Sequence, residues 1–250
     1  MISQGIEKSY FLNEVIKSSD SQAVKHMIFP ERISKKDLLL LPLLHFPGTI
    51  HVVNDEAQMH SAMEFLSQEA LLGFDTETRP SFKRGESYPV ALLQLASENH
   101  AFLFQLRDLG LPDPLKELFE DATVLKIGVA IHDDIKALQK KSEFEPRGFV
   151  ELADLARRFG IITTGLRNLT GIFLKSRISK RFQLSNWDRK KLDEHQQLYA
   201  ATDAWVCREI FQQLQESDLD SIASLDGTES ENQETASLED IERDELRKAF

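Results

Sequence analysis

Leu71-Leu72-Gly73-Phe74-Asp75-Thr76-Glu77 is apolar until its last residues, where two acids stand two positions apart. A short apolar run of this kind, bounded by polar residues, suits a buried strand. Strand side chains alternate faces, so Asp75 and Glu77 project from the same side. A carboxylate pair on a mostly buried strand is costly unless a cation neutralises it, and hard divalent ions with oxygen ligands are the natural partners. The other reading of the same residues is a strand that emerges into solvent and ends on incidental acids.

Outward from this strand, Thr49 to Val53, Val90 to Ala96, Ala101 to Gln105 and Val124 to Val129 have the same short apolar character. Helical periodicity is predicted at roughly 55–69, 112–120, 133–141, 151–159, 166–174 and 193–215. Only Ser97 to His100 separate two of the strands, which implies an antiparallel hairpin. Alternation of strands and helices elsewhere implies parallel pairing by crossover. The expected class is therefore α/β, a mixed sheet flanked by helices, without internal repeats. Residues 1–45 are expected to form an N-terminal extension, with a helix and the apolar segment Leu38 to Leu44 packing on a domain that spans 46–215.

The chain has 250 residues, and 41 acidic against 30 basic side chains give a net charge of -11. Such acidity at first argues against a nucleic-acid partner, because phosphate affinity comes mainly from Lys and Arg. Its distribution weakens that objection. Residues 216–250 hold twelve acids and three basic residues, a net of -9, which leaves about -2 for residues 1–215. The Ser/Asp/Glu-rich centre of this tail lacks apolar periodicity, so 216–250 is expected to be an acidic, flexible end. The apolar run Leu38 to Phe46 is broken by Pro42 and His45 and is too short for a membrane span. No signal peptide is evident, and Cys207 is the sole cysteine, so an intrachain disulfide is excluded. An intracellular, cytoplasmic protein is expected.

Further acids lie at the ends of other elements. Asp133 and Asp134 follow the fifth apolar strand, where Asp is also a routine helix N-cap, and His132 beside them suits a loop hydrogen bond as well as a ligand. Tyr199 and Asp203 are four apart and share a helix face. Ala200, Ala201 and Ala204 surround that acid, so a solvated charge explains it poorly.

Phe74-Asp75-Thr76-Glu77-Thr78, the Asp134 region and Tyr199-Ala200-Ala201-Thr202-Asp203 resemble, in order, the three motifs of the DEDDy 3'-5' exonucleases, which include ribonuclease D and the Werner-type exonuclease domain. The similarity covers residues 49–215. Ser185-Asn186-Trp187 and the Tyr-Ala-Ala-Thr-Asp-Ala string place it closer to the Werner-type branch. The resemblance implies a ribonuclease H-like fold and metal-dependent removal of nucleotides from a 3' end. It assigns Asp75, Glu77, Asp134 and Asp203 as catalytic metal ligands and Tyr199 as a catalytic residue. In the second motif Ala130 and His132 depart from the family's Gly-Val-Gly-Ile-Glu-Gly-Asp-like string, and Asp133 falls on a variable position. The variant with a His base would have it at Leu198, and His195 lies three residues earlier, so Tyr199 fills the role.

The chemistry requires such a set. In-line hydrolysis of a phosphodiester needs an activated water and stabilisation of charge on the phosphoryl and departing oxygens, which two divalent cations, Mg²⁺ or Mn²⁺, can supply together. Four carboxylates and two such ions balance at formal charges of -4 and +4. Residues 175–191 carry a net of +6 ahead of the proposed catalytic helix, where Lys180 and Arg181 could hold backbone phosphates. Trp187 among them could stack on a base or anchor into the core. Lys83 and Arg84 form a second basic spot, and Phe82 and Tyr88 near them could contact a terminal nucleotide or close the core. The expected partner is DNA or RNA with a free 3' end, with DNA mildly favoured, and the acidic tail could take a protein partner. Two alternatives stand beside this: a ribonuclease D-like exoribonuclease, and a catalytically inactive nucleic-acid-binding adaptor on the same fold.

Overall fold

A computed structural model of the protein describes residues 29–83 and 85–217. Arg84, most of the expected N-terminal extension and nearly all of the acidic tail fall outside these residues. Of the two compact units in the chain, the first ends at Phe211 and contains every strand and every acid discussed below.

A short helix α1 (Lys35–Leu40) precedes β1 (Thr49–Val53), α2 (Glu56–Leu66), β2 (Leu71–Thr78), β3 (Val90–Ala96) and β4 (His100–Gln105). Then follow α3 (Leu106–Leu109), α4 (Asp113–Glu120), β5 (Leu125–Gly128), α5 (Ile131–Gln139), β6 (Phe149–Glu151), α6 (Leu152–Arg158) and α7 (Leu166–Phe173). A long helix, α8, starts at residue 194 and occupies the rest of this unit. Asp193 accepts from the backbone N–H of Gln196, and the Gln196 side chain accepts from that of Asp193. This reciprocal cap satisfies two backbone donors at the start of α8.

The strands form one sheet in the order β1-β4-β3-β2-β5-β6. β2, β3 and β4 pair antiparallel at its centre, and β1, β5 and β6 join in parallel. Both faces are covered, so β3 is buried along its whole length rather than alternating. Leu72, Phe74, Leu93 and Leu95 face a core shared with α2, α4 and α5. Leu92, Ala96, Ala101 and Leu103 face the opposite way, toward α8 and Trp187.

Residues 149–151 correct the expected boundaries, for the helix predicted from 151 is preceded by a strand. Three half-buried residues at a sheet edge are too few to display a period of two. Glu151, the last of them, accepts from the backbone N–H groups of Ala153 and Ile131, so one carboxylate caps α6 and ties down the loop after β5. In that loop Ala130 is left-handed at φ 61°, a conformation disfavoured by about 1–2 kcal/mol for a residue with a Cβ. Ala130→Gly is expected to raise the melting temperature by about 2 °C, net of glycine's larger entropy loss, a shift that thermal denaturation can read.

Candidate active site

β2 delivers Asp75 and Glu77 to its C-terminal end, on the face that α8 covers. Gly73 precedes them on that face, and a Cβ there would stand 1.9 Å from the carbonyl oxygen of Ala204. With no side chain at this point, the α8 backbone lies directly against β2. Asp203, adjacent to Ala204, is thereby set beside Asp75. One ligand oxygen from each of Asp75, Glu77 and Asp203 falls within 4.8 Å of the others.

Asp134 occupies the first turn of α5, and its Oδ1 accepts a 2.5 Å hydrogen bond from the Thr76 hydroxyl. It stands beside the three-carboxylate group rather than within it, close enough for its charge to act on Asp75 and Glu77. His132 and Asp133 are exposed, whereas Asp134 is half-buried. Tyr199 lies one helical turn before Asp203, close enough for its hydroxyl and the Asp203 carboxylate to act on one another. His195, a further turn back, is exposed.

Burial governs the electrostatics. It raises the Asp75 carboxyl well above its usual range, and the charges of Asp203 and Asp134 raise it further. Glu77 is pushed up to about 10, first by burial and then by Asp75, Asp203 and Asp134. Burial lifts Asp203 to about 7, although the Tyr199 hydroxyl and the Arg167 guanidinium pull the other way. Asp134 is raised by burial against the opposing bond from Thr76. Burial and then the Asp203 charge carry the Tyr199 phenol above its ordinary range, so Tyr199 stays protonated at neutral pH.

These residues fit a divalent cation. Their donors are hard oxygens, their charges repel one another, and the buried Oδ1 of Asp203 has no hydrogen-bond partner. Because the carboxyls retain protons near neutrality, a cation must displace them to bind. Apparent Mn²⁺ affinity should therefore rise with pH, about tenfold per unit for each proton released. Calorimetric titration between pH 6.5 and 8.5 checks this, together with proton release measured in buffers of different ionisation enthalpy.

The basic residues divide into used and available cations. Trp187 is 1% exposed and packs on Leu92, Leu103 and Tyr199; of its two expected placements the ring takes the core one, which removes it from the nucleic-acid-binding candidates. Arg177 donates to the Leu41 carbonyl, Lys175 to that of Ile172, and Arg189 pairs with Asp193. Lys180 and Arg181 are exposed, and the Arg181 guanidinium lies 5.6 Å from the Phe182 ring centre. Lys83 pairs with Glu86 at 3.6 Å. Phe82 is exposed, and Tyr88 stacks under Arg79. Arg167, Thr76 and Glu151 were not expected at the site. A lone Arg at the start of a helix was the available sign for Arg167, whereas nothing in the residue order foretells the reach of Glu151 from the sheet edge.

A profile of the 3'-5' exonuclease family matches residues 50–217, which include all four acids and Tyr199. The bifunctional 3'-5' exonuclease/ATP-dependent helicase WRN of Mus musculus is 36% identical over 188 residues, covering 70% of this chain and 13% of that protein. An Arabidopsis thaliana 3'-5' exonuclease is 31% identical over 153 residues, covering 59% of this chain and 53% of that one. The chain thus spans about half or less of the length of these relatives. Among solved structures, the Aedes aegypti Nibbler EXO domain has a TM-score of 0.64 at 23% identity, covering 69% of this chain and 91% of that one. Escherichia coli RNase D has a TM-score of 0.61 at 22% identity, covering 70% of this chain and 46% of that one. The sheet order and flanking helices are those of the ribonuclease H-like fold.

Proposed function

This chain belongs to the DEDDy 3'-5' exonuclease family, and from that membership we propose that it hydrolyses phosphodiester bonds from the 3' end of nucleic acid. The observation that carries the proposal is the convergence of Asp75, Glu77 and Asp203 beneath α8, with Asp134 at the edge and Tyr199 one helical turn from Asp203. Accidental acids on an unrelated α/β protein would not converge from separate elements in this way. Asp75, Glu77, Asp134 and Asp203 would hold two divalent cations, Mg²⁺ or Mn²⁺. Such ions supply charge stabilisation at the phosphoryl and departing oxygens and a more acidic water.

The remaining work belongs to the chain. Thr76 fixes the Asp134 carboxylate by donating to it, and the Arg167 charge moderates the cluster from the side of Asp203. Tyr199, protonated and aligned by Asp203, orients the attacking water through its hydroxyl rather than removing a proton from it. Tyr199→Phe is expected to lower kcat about 10²-fold with little change in substrate affinity. Single-turnover kinetics set against equilibrium binding would separate the two, and unchanged turnover would exclude the role.

DNA is mildly favoured over RNA on the strength of the Werner-type strings, while the structural likeness to Escherichia coli RNase D fits the exoribonuclease alternative. Purified protein incubated with 5'-labelled DNA and RNA, single- and double-stranded, with Mg²⁺, Mn²⁺ or chelator, tests both parts. Stepwise, metal-dependent shortening supports the assignment. Equal shortening by an Asp75→Ala control marks a contaminant, and binding without any shortening favours the adaptor reading.

A further inference from the structure

Gln94 is the one polar side chain of the buried strand β3, and it is 0% exposed. Among the described residues neither its amide nitrogen nor its amide oxygen has a hydrogen-bond partner. An amide left in this way forfeits the hydration of a donor and an acceptor together, and such an exception in a folded protein calls for an explanation. The other two buried glutamines of the described residues obey the rule. Gln105 donates to the Arg189 carbonyl and accepts from Asn54, and Gln196 donates to the Ser185 hydroxyl and accepts from the Asp193 backbone N–H.

The sheet decides what Gln94 can reach. Its partner across β2 is Asp75 and its partner across β4 is Leu103, and directly opposed residues of antiparallel strands carry their Cβ atoms about 4.5–5.5 Å apart on one face. Along β3 the same face continues in Leu92 and Ala96, which pack against Ala200, Ala201 and Ala204 of α8. All of these neighbours are apolar except Asp75. Gln105, diagonal to Gln94, is already bonded at both ends, and Glu77 on the other diagonal belongs to the same carboxylate group as Asp75. The amide of a glutamine turns on a soft terminal torsion, so directing it at the Asp75 carboxylate costs little.

We propose that Gln94 is a positioning residue for the metal centre: its amide N–H donates to the Asp75 carboxylate when that carboxylate holds a cation, and so fixes the direction of the ligand oxygen. This rests on the exonuclease reading, whose carboxylates supply the cation site. Carboxylates that bind metal are themselves oriented by hydrogen bonds from the next layer of residues, as Thr76 orients Asp134. A donor to a charged carboxylate also makes a charge-assisted bond, stronger than one between neutral groups. Gln94 therefore destabilises the metal-free chain and strengthens the loaded one, the opposite of a residue kept for packing.

Gln94→Met keeps the length of the side chain and removes the amide, which separates the two effects in the full chain. Its melting temperature in chelator is expected to exceed wild type by about 2–4 °C. Its Mn²⁺ dissociation constant, from calorimetric titration, should rise about tenfold or more. Turnover at limiting Mn²⁺ should fall by a similar factor and recover as Mn²⁺ approaches saturation, while the dissociation constant for single-stranded DNA in chelator stays that of wild type. Gln105→Met is the control: it loses the bonds to Arg189 and Asn54, so it should lower the melting temperature and leave Mn²⁺ affinity unchanged. Gln94→Leu provides a second apolar replacement in case Met packs poorly. If both Gln94 variants bind Mn²⁺ as wild type does, or if both are less stable than wild type in chelator, the positioning role is overturned. Failure of the exonuclease reading is separately visible, as a wild-type protein whose Mn²⁺ affinity depends on Gln94 yet which leaves nucleic acid unshortened.

Discussion

Asp75→Asn should abolish metal-dependent shortening, by about 10³-fold or more, and at the same time make the metal-free protein more stable. The first effect follows from its place in the cluster. Asp75 shares the 4.8 Å group with Glu77 and Asp203 and feels the charge of Asp134, so its loss removes the ligand common to the whole set. Several kcal/mol of transition-state stabilisation depend on such a centre, and each 1.36 kcal/mol is tenfold in rate.

The second effect follows from the raised carboxyl pKa values. An unfolded Asp or Glu titrates near 4, whereas Glu77 is held at about 10 and Asp203 at about 7 in the folded chain. A folded pKa above the unfolded one means stability present below about pH 4 and lost as pH rises through the folded values. Metal-free protein should therefore weaken between pH 4 and about 10. Replacing Asp75 by its neutral isostere removes the cost of burying that carboxyl, whether charged or protonated, and relieves its neighbours. At pH 8 the variant's metal-free melting temperature should exceed wild type by at least about 2 °C, equivalent to roughly 1 kcal/mol in a domain of this size. Added Mn²⁺ should stabilise the wild-type protein and do much less for the variant. Scanning calorimetry with and without metal reads all three terms, and a variant less stable than wild type in chelator would contradict the account of the cluster.

How far the site could be read in advance depended on the range of each pattern. Asp75 and Glu77 were legible because a strand has period two and both acids fall within one apolar run. Tyr199 and Asp203 were legible because four residues make one helical turn, and Ala neighbours leave an acid little reason to be there. Asp134 required the family resemblance to separate it from Asp133, and its partial burial beside the exposed Asp133 agrees with that choice. Long-range relations were not legible. For Trp187 the basic run left base stacking and a core anchor both open, and the packing of Leu92, Leu103 and Tyr199 decides for the core. The strand 149–151 was hidden for a similar reason, since its pairing with β5 supplies what three residues cannot signal alone. In the segment Leu38 to Leu44, expected to pack on the domain, Leu38 is buried and Leu44 half-buried while Leu39, Leu40 and Leu43 are exposed, and backbone bonds between residues 42–44 and Arg177 hold its end, a relation no local pattern signals.

Gly73 is the position where a change without any charge should do the most damage. It looks like a weak residue in a strand, because glycine there has no side chain to pack and a larger entropy loss on folding. Its value lies in what fills the space: an added Cβ would meet the Ala204 carbonyl oxygen at 1.9 Å and the carbonyl carbon at 2.7 Å. Both are backbone atoms of α8, so no rotamer change can relieve the clash. Either β2 or α8 must move, and Asp75 and Asp203 ride on those two elements at the contact point. Gly73→Ala is expected to destabilise the protein by about 1–3 kcal/mol, as overpacking does, and to lower kcat about 10²-fold through misplacement of the carboxylates. Raising Mn²⁺ should recover part of the rate, because the ligands remain present but spread, whereas it should recover none in Asp75→Asn. Gly128→Ala provides a contrast, since its Cβ would meet the Ile131 side chain at 2.4 Å and the Phe74 carbonyl at 2.7 Å, away from α8. If Gly73→Ala folds with wild-type metal affinity and turnover, close approach of β2 and α8 is not what assembles the site.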